Sequence, residues 1–223
     1  MPLYIISTPI GHLEDITVRA VKTLEQVDLV LAEDTRRTAI LFGKYNIRTR
    51  MQSYNDHNKE RITPLIIKLL KEGKHIGLVS DAGTPAISDP GFYVTREAIR
   101  NGITIIPIPG PSAVLAALVS TGFATDAFIF LGFLPKSNKQ RIDILKDIGV
   151  KKDMTFIVYE SPYRIEKTIE MMSEIMPDRR ICIGREMTKK FEEFIRGNAK
   201  EVFEKIKDRN IKGEMTIVID KVY

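Results

Sequence analysis

The residues that indicate a ligand-binding site most directly lie in three loops rich in glycine and proline. They are residues 7–11 (STPIG), 80–91 (SDAGTPAISDPG) and 107–112 (PIPGPS), and each follows a short apolar segment. Glycine lets a backbone approach a ligand closely, and proline holds a loop rigid. Because the loops contain no lysine or arginine, they suit a small, mostly neutral molecule held by backbone hydrogen bonds better than a triphosphate. A simple tight turn is the alternative, above all for residues 8–11.

The motifs of several large enzyme classes are missing from the sequence. No G-x-G-x-x-G motif follows an apolar segment, and there is no phosphate-binding P-loop, nucleophile elbow or H-E-x-x-H motif. The histidines His12, His57 and His75 are scattered, and the single cysteine, Cys182, lies in an apolar segment. An internal disulfide is therefore excluded, and we expect no metal site.

The elements that must position the three loops alternate between strand and helix. This alternation predicts βα units and a largely parallel sheet in the first half. The predicted strands there are Leu3–Ser7, Leu29–Ala32, Ile76–Ser80 and Ile103–Pro107, and the predicted helices are Thr17–Gln26, Arg36–Tyr45, Lys59–Glu72 and Phe92–Arg100. In open parallel sheets, ligands bind beyond the carboxyl ends of the strands. We therefore expect the three loops to meet at one edge.

The second half repeats the alternation less regularly, which predicts a mixed sheet. Its predicted strands are Phe128–Leu131, Thr155–Tyr159, Arg180–Gly184, Phe191–Arg196 and Met215–Asp220, and its predicted helices are Asn138–Ile148, Arg164–Ile175 and Ala199–Lys207. A helix of small residues, Ala113–Ser120, lies between the halves. We predict two tandem α/β domains, residues 1–115 carrying the loops and residues 116–223 following them.

The net charge and the hydropathy of the chain indicate which binding partners and which cellular location to expect. The formal charge of +5 is modest support for a polyanionic partner, because a basic surface attracts phosphate groups at long range. Apolar segments such as Ile103–Ile108 are far shorter than the roughly 20 residues that span a bilayer. The N-terminus has no basic segment followed by an apolar core. We therefore expect no membrane segment and a cytoplasmic location.

Several blocks of the sequence closely resemble the signature blocks of one enzyme family. They are TPIGHLEDIT (residues 8–17), AEDTR (32–36), SDAGTP (80–85), SDPG (88–91), PGPSA (109–113), LGFLP (131–135), YESPYR (159–164) and REMTK (185–189). In this order they resemble the ribosomal RNA small-subunit methyltransferase I family of the tetrapyrrole-methylase superfamily, over nearly the whole chain. One departure is Tyr163, where the family pattern leads us to expect histidine.

The resemblance implies a class III S-adenosylmethionine methyltransferase of the two-domain tetrapyrrole-methylase type. It implies methyl transfer from S-adenosylmethionine to the ribose 2′-hydroxyl of a decoding-centre cytidine in small-subunit (16S) rRNA. The expected RNA partner is this rRNA in the assembled 30S subunit, and the expected oligomer is a homodimer. In this family's fold the cofactor lies bent between the two domains. Carried over by position, the expected cofactor-binding residues are Pro9, Ile10, Asp81, Gly83, Thr84, Ile87, Ser112, Ala113, Tyr159, Glu214 and Met215.

The transfer also requires the loss of one proton, and a carboxylate near the target hydroxyl can accept it. Candidate bases are Asp34, Glu160 and Glu186, with Asp81 as a further possibility. A structural ion pair within each loop is the alternative, and proton loss to water also remains open. The expected RNA contacts are Arg36, Arg37, Arg164, Arg185 and Lys189, with stacking by Tyr159 or Tyr163 as an addition.

Two other functions remain open from the sequence. The same fold and cofactor could serve a tetrapyrrole or a protein side chain, in which case no methyl label would reach RNA. The chain could also be a non-catalytic RNA-binding or assembly module, in which case calorimetry would detect no binding of S-adenosylmethionine.

Overall fold

The computed structural model describes residues 1–222 and shows two compact α/β units. The first unit ends at Ser112 and the second begins at Ala113. Across residues 1–222, no helix is both long enough and apolar enough to cross a membrane.

The first unit is a five-stranded parallel sheet with helices on both faces. Its strands are β1 (Leu3–Ile6), β2 (Leu29–Ala32), β3 (Met51–Ser53), β4 (Ile76–Val79) and β5 (Ile105–Ile108), in the order β3-β2-β4-β1-β5. Its helices are α1 (Val18–Gln26), α2 (Thr35–Tyr45), α3 (Lys59–Lys71) and α4 (Phe92–Arg100), with a 3-10 turn at Leu13–Asp15. All strand pairs in this sheet are parallel. The predicted fold class of the first half is confirmed.

Apolar residues on the two faces of this sheet explain the two helical layers. Leu24 of α1 and Phe42 of α2 pack with Val30 on one face. Leu70 of α3 and Ala98 of α4 pack in a second cluster on the other face. Burial on both faces is the usual condition of a parallel sheet, since its crossover helices cover it.

Polar caps fix where the first two helices begin. Thr17 accepts a hydrogen bond from the Ala20 N–H at the start of α1, and Asp34 accepts one from the Arg36 N–H at the start of α2. Such caps satisfy backbone donors that the helix itself leaves unpaired. Because Asp34 lies only two residues beyond the end of β2, the cap places α2 at the carboxyl edge of the sheet.

The structure differs from the predicted strands at both sides of this sheet. Strand β3 was not predicted, because Met51–Ser53 is short, half-buried and has no apolar run; it pairs with β2 through the backbone. Strand β5 begins at Ile105 rather than Ile103 and contains Pro107. Because β5 is the last strand of the sheet, the missing N–H of that proline is tolerated there.

The second unit is a five-stranded mixed sheet. Its strands are β6 (Phe128–Phe133), β7 (Thr155–Glu160), β8 (Arg180–Arg185), β9 (Glu193–Asn198) and β10 (Met215–Ile219), in the order β6-β7-β10-β8-β9. Its helices are α5 (Ala113–Val119), α6 (Asn138–Val150), α7 (Ile165–Ile175) and α8 (Ala199–Ile206). Strands β6 and β7 are parallel and the other pairs are antiparallel, which confirms the predicted mixed sheet. Strand β9 begins at Glu193, two residues later than predicted.

The register of the second sheet brings three distant segments to one edge. Met215, at the start of β10, lies between Glu160 at the end of β7 and Arg185 at the end of β8. The sheet is held by an apolar core, in which Leu145 of α6, Ile169 of α7 and Val202 of α8 pack against it. The expected functional segments of the second unit therefore share the edge at which β7 and β8 end.

Candidate functional site

The three glycine- and proline-rich loops meet at the carboxyl edge of the first sheet. The Thr8 N–H donates to the Gly83 carbonyl at 2.9 Å, and the Gly83 N–H donates to the Thr8 carbonyl at 3.0 Å. The Thr84 hydroxyl lies 3.1 Å from the Ser7 hydroxyl and 3.4 Å from the Pro111 carbonyl. All three loops are thus joined to one another, as the parallel sheet predicts.

Glycine is required where these loops approach most closely. A Cβ atom on Gly110 would lie 3.0 Å from the Ser7 Cβ. Gly83 has φ +77°, and a Cβ there would lie 3.4 Å from Ile10 Cγ2 and 3.8 Å from the Pro111 carbonyl oxygen. These glycines therefore let the loops converge without side chains between them.

The long loop also holds two residues in the left-handed backbone region. Ala86 has φ 69° and Ser88 has φ 62°, a conformation that costs a residue with a Cβ about 1–3 kcal/mol. Ile87, between them, is exposed. Such strain is concentrated at ligand-binding segments, so it supports the prediction that this loop has a function.

Acidic residues at the ends of β2 and β4 form a connected group beside these loops. The Asp81 N–H donates to Glu33 Oε2 at 3.3 Å, and the Asp34 N–H donates to Asp81 Oδ1 at 3.0 Å. The Arg37 guanidinium lies 3.3 Å from the other oxygen of Asp81. The loops after β1, β2, β4 and β5 are therefore all linked at one edge.

The carboxyl groups in this cluster differ in basicity. Hydrogen bonds from the Arg36 side chain and the Arg36 N–H lower the pKa of Asp34 to about 2. Burial raises the pKa of Asp81 and of Glu33 above their usual values. Of these two aspartates, Asp34 is thus the weaker base and Asp81 the stronger. Glu33 was missed in the sequence, although it directly follows β2 in the AEDTR block.

Glu33→Gln is expected to stabilise the first unit at neutral pH. Below the usual glutamate pKa of about 4.3, Glu33 is protonated in the folded and unfolded chain and burial costs nothing. As the pH rises through its raised folded-state pKa, folding must bury a charge and stability is lost. Glutamine keeps an oxygen for the Asp81 N–H and never ionises.

Urea unfolding at pH 4 and pH 7 measures this difference. The variant should have the higher midpoint at pH 7 and a midpoint close to the unmodified chain at pH 4. A variant that is less stable than the unmodified chain at pH 7, or whose urea midpoint is shifted equally at pH 4 and pH 7, would contradict burial as the cause of the raised pKa of Glu33.

In the second unit, Glu160 lies in a buried polar network. Its side chain is fully buried, and one oxygen lies 2.6 Å from the Arg164 guanidinium. The same oxygen accepts the Ser161 N–H at 2.8 Å, while the other accepts the Thr168 hydroxyl at 2.7 Å. Arg141, also buried, donates to that hydroxyl at 3.0 Å. This geometry favours the structural ion pair over a catalytic base for Glu160, because a base must reach the proton that it abstracts.

Glu186 is tied to the turn before β10. Its side chain accepts the Glu214 N–H at 2.9 Å and the Lys189 ammonium at 3.1 Å, and its own N–H donates to the Glu214 carbonyl. Partial burial raises the pKa of Glu186, but hydrogen bonds from Glu214 and Lys189 outweigh this effect and the pKa is lowered overall. Glu186 thus fixes the Gly213–Met215 segment, and its hydrogen bonds favour its charged form.

Gly213→Ala is expected to disrupt this turn. Gly213 has φ +99°, and a Cβ there would lie 2.5 Å from Glu186 Cγ. The clash and the backbone strain together should lower the free energy of unfolding by about 2 kcal/mol or more. Gly73→Ala is the matched control, because Gly73 has φ +96° with nothing within 4 Å. Equal losses in the two variants, measured by urea unfolding, would contradict the close contact with Glu186.

The five predicted RNA contacts divide into two groups. Arg36 and Arg37 are exposed on α2, with 89% and 64% of their side-chain surface accessible. Arg164, Arg185 and Lys189 are mostly buried and engaged in the fold: Arg164 with Glu160, Arg185 with Glu193 and the Lys212 carbonyl, and Lys189 with Glu186 and Glu214. Arg36 and Arg37 also form ion pairs, with Asp34 and Asp81, but of the five side chains only these two are mostly exposed to solvent.

The predicted cofactor residues also fall into separate sets. Pro9, Ile10, Asp81, Gly83, Thr84 and Ile87 belong to the joined loops of the first unit, and Ser112 ends that unit. Ala113 begins α5, while Tyr159, Glu214 and Met215 lie at the common edge of the second sheet. Within residues 1–222 no group of three or more His, Cys, Asp or Glu side chains is arranged to hold a metal ion.

Comparison with known proteins identifies the family. The family model described as Tetrapyrrole (Corrin/Porphyrin) Methylases matches residues 2–202. A protein of Thermotoga maritima named ribosomal RNA small subunit methyltransferase I is 46% identical over 217 residues, 97% of this chain and 97% of that protein. A protein of the same name from Halalkalibacterium halodurans is 45% identical over 218 residues, 98% of this chain and 75% of that protein.

Solved structures share the fold at low sequence identity. The uroporphyrin-III C-methyltransferase of Thermus thermophilus, complexed with S-adenosylhomocysteine, matches with a TM-score of 0.69 at 16% identity, covering 99% of this chain and 97% of that one. A cobalt precorrin-4 methyltransferase of cobalamin biosynthesis matches with a TM-score of 0.68 at 19% identity, covering 98% and 94%. The chain therefore belongs to the tetrapyrrole (corrin/porphyrin) methylase family and, within it, groups with the proteins named ribosomal RNA small subunit methyltransferase I.

Proposed function

We propose that this chain is an S-adenosylmethionine-dependent methyltransferase whose joined loops of the first unit hold the methyl donor. The observation that carries the proposal is the convergence of three uncharged loops, cross-bridged at Thr8, Gly83 and Thr84, at the edge where an open parallel sheet binds ligands. The donor's adenosine is largely neutral, and its amino acid part can be bound by backbone groups. The loops fit such a molecule because glycine at positions 83 and 110 leaves their backbones accessible.

The proposed substrate is the ribose 2′-hydroxyl of a cytidine in small-subunit rRNA. Its support is the name that relatives at 45–46% identity carry over nearly the whole chain. Exposed Arg36 and Arg37 at the start of α2, beside the carboxyl edge, can contact RNA phosphates. The 2′-oxygen as the methylated atom and the assembled 30S subunit as the substrate form parts of this proposal.

In the proposed reaction, the protein aligns the two reactants and accepts a proton. The sulfonium of the donor supplies an electrophilic methyl group, which passes to the 2′-oxygen as the carbon–sulfur bond breaks. Rigid loops contribute by holding the reactants in line. We propose Asp81 as the group that accepts the hydroxyl proton, because it lies at the carboxyl edge beside the joined loops and burial raises its pKa above the usual value. Asp34, with a pKa of about 2, is better suited to capping α2.

Transfer of tritium from labelled S-adenosylmethionine tests the proposed function. Small ribosomal subunits lacking the modification, a tetrapyrrole and a general protein substrate are each incubated with the chain, and labelled RNA is mapped by mass spectrometry. The proposal predicts label on the ribose of one cytidine in small-subunit rRNA. Label on the tetrapyrrole or protein alone would move the chain to another substrate class, and absence of S-adenosylmethionine binding by calorimetry would remove the methyltransferase function.

A further inference from the structure

Tyr163 stands out at the edge of the second sheet because its side chain is almost wholly in solvent. It is 96% exposed, three residues after the end of β7. Single exposed aromatic residues are common on protein surfaces and need no explanation by themselves. Two features distinguish Tyr163. A buried hydrogen-bond network holds its backbone, and other aromatic residues lie at the same edge of the sheet.

The loop that carries Tyr163 is anchored at both ends by a buried network. Glu160 accepts the Ser161 N–H on one side of Tyr163 and pairs with the Arg164 guanidinium on the other. Inside the loop, the Arg164 N–H and the Ile165 N–H both donate to the Ser161 carbonyl, at 3.0 and 3.1 Å. The ring is therefore presented from a fixed backbone, which reduces the entropy lost when a ligand packs on it.

The same network fastens a second loop, the residues that follow β6. Arg164 donates to the carbonyls of Leu134 and Pro135, and Arg141 donates to those of Pro135 and Lys136. The Lys136 side chain is exposed. One buried cluster thus holds an exposed aromatic ring and an exposed ammonium group on adjoining loops. An aromatic ring with a neighbouring cation is the combination that single-stranded nucleic acid binds by stacking and phosphate attraction.

The edge that Tyr163 occupies also carries other aromatic residues. The Tyr159 ring packs edge-on against Phe130 and Phe133, at centroid distances of 4.8 and 5.4 Å. Phe133, at the end of β6, is itself 55% exposed. Tyr163 therefore follows strand β7 at an edge where β7 and its parallel neighbour β6 both carry aromatic residues.

We propose that Tyr163 is a nucleobase-stacking residue that positions an unpaired base of the RNA substrate. This inference rests on the proposed function, because the RNA that Tyr163 would bind is the substrate of that reaction. Proteins recognise RNA sequence mostly in single-stranded segments, whose unstacked bases need new stacking partners. The side chain acts on RNA binding and alignment, and it takes no part in the chemical step.

Kinetics with small subunits test the proposal. Tyr163→Ala should raise the KM for the subunit roughly 5- to 150-fold, the range for loss of one aromatic stack, with the KM for S-adenosylmethionine unchanged. Tyr163→Phe keeps the ring and should retain the unmodified KM. A Tyr163→Ala variant with an unchanged KM, or a Tyr163→Phe variant as impaired as Tyr163→Ala, would overturn the stacking role.

Fluorescence gives a readout that does not depend on methyl transfer. The chain contains no tryptophan, so Tyr163→Trp introduces a single reporter at this position. Addition of a single-stranded oligoribonucleotide of the substrate region should quench its emission. Val150→Trp is the matched control: Val150 is 79% exposed at the end of α6, before β7 begins, and its reporter should not be quenched. Equal quenching of the two reporters, or none at Tyr163→Trp, counts against the proposal.

Two outcomes separate this inference from its alternatives. If Tyr163→Ala alters the oligomeric state measured by light scattering, the ring belongs to an interface between copies of this chain and the proposal is wrong. If the unmodified chain transfers no label to RNA yet the Tyr163→Trp reporter is quenched, the proposed function fails while RNA stacking at Tyr163 stands.

Discussion

Gly83→Arg is expected to abolish S-adenosylmethionine binding while leaving the chain folded. A Cβ at this position lies 3.4 Å from Ile10 Cγ2 and 3.8 Å from the Pro111 carbonyl oxygen, so a long charged side chain must leave from the point where the three loops meet. It would occupy the space that the donor needs. Titration calorimetry should show a loss of affinity of about 100-fold or more, equal to about 2.7 kcal/mol.

Gly102→Arg is the matched control for this variant. Gly102 has φ +72°, close to the +77° of Gly83, but a Cβ there meets nothing within 4 Å. Both variants should therefore carry the same backbone strain of about 1–2 kcal/mol, visible as a similar fall in Tm. Only Gly83→Arg should lose donor binding. Retained affinity in Gly83→Arg, or equal loss in both, would place the donor away from the three loops.

Arg164→Ala is expected to cause the largest loss of stability in the second unit. Glu160 is fully buried, and its ion pair with Arg164 at 2.6 Å compensates its charge. Removing one partner of a buried ion pair typically costs about 3–5 kcal/mol, because an uncompensated charge remains inside the protein. Urea unfolding followed by circular dichroism should therefore show early loss of the second unit.

Lys167→Ala provides the comparison on the same helix. Lys167 pairs with Glu170 at 2.6 Å, but its side chain is 56% exposed, and exposed pairs contribute only about 0–1 kcal/mol. Adding Glu160→Gln to Arg164→Ala should recover much of the lost stability, since the buried charge is then absent. Similar small losses for Arg164→Ala and Lys167→Ala would show that the network around Glu160 is not a stabilising element.

Local sequence was sufficient to predict most of the fold. Regular apolar spacing marks the helices, and apolar runs mark the central strands. Strand β3 was missed because Met51–Ser53 has no apolar pattern and is held by pairing with β2. The start of β5 was displaced because apolar Ile103 continues the pattern of the strand although the ladder with β1 begins at Ile105.

The part of the candidate site formed by the three loops could be predicted, because their glycine and proline content identifies them. Loops dominated by glycine and proline must lie at a strand end, and the parallel order of the sheet brings them together. Arginine at a loop position, by contrast, can face solvent or a buried carboxylate with the same local sequence. Arg36 is exposed and Arg164 is mostly buried, a difference created by tertiary packing around Glu160. The contact of Gly213 with Glu186, 27 positions apart in the chain, is likewise invisible to local patterns.

The central claim, that the joined loops of the first unit hold the methyl donor, is tested most directly by hydrogen–deuterium exchange with and without S-adenosylhomocysteine. Recognition through backbone groups predicts slower exchange in peptides that cover residues 8–13, 80–91 and 109–114, with little change in the peptide that covers α3. Protection confined to other segments, or no protection at a concentration that saturates binding in calorimetry, would contradict the account.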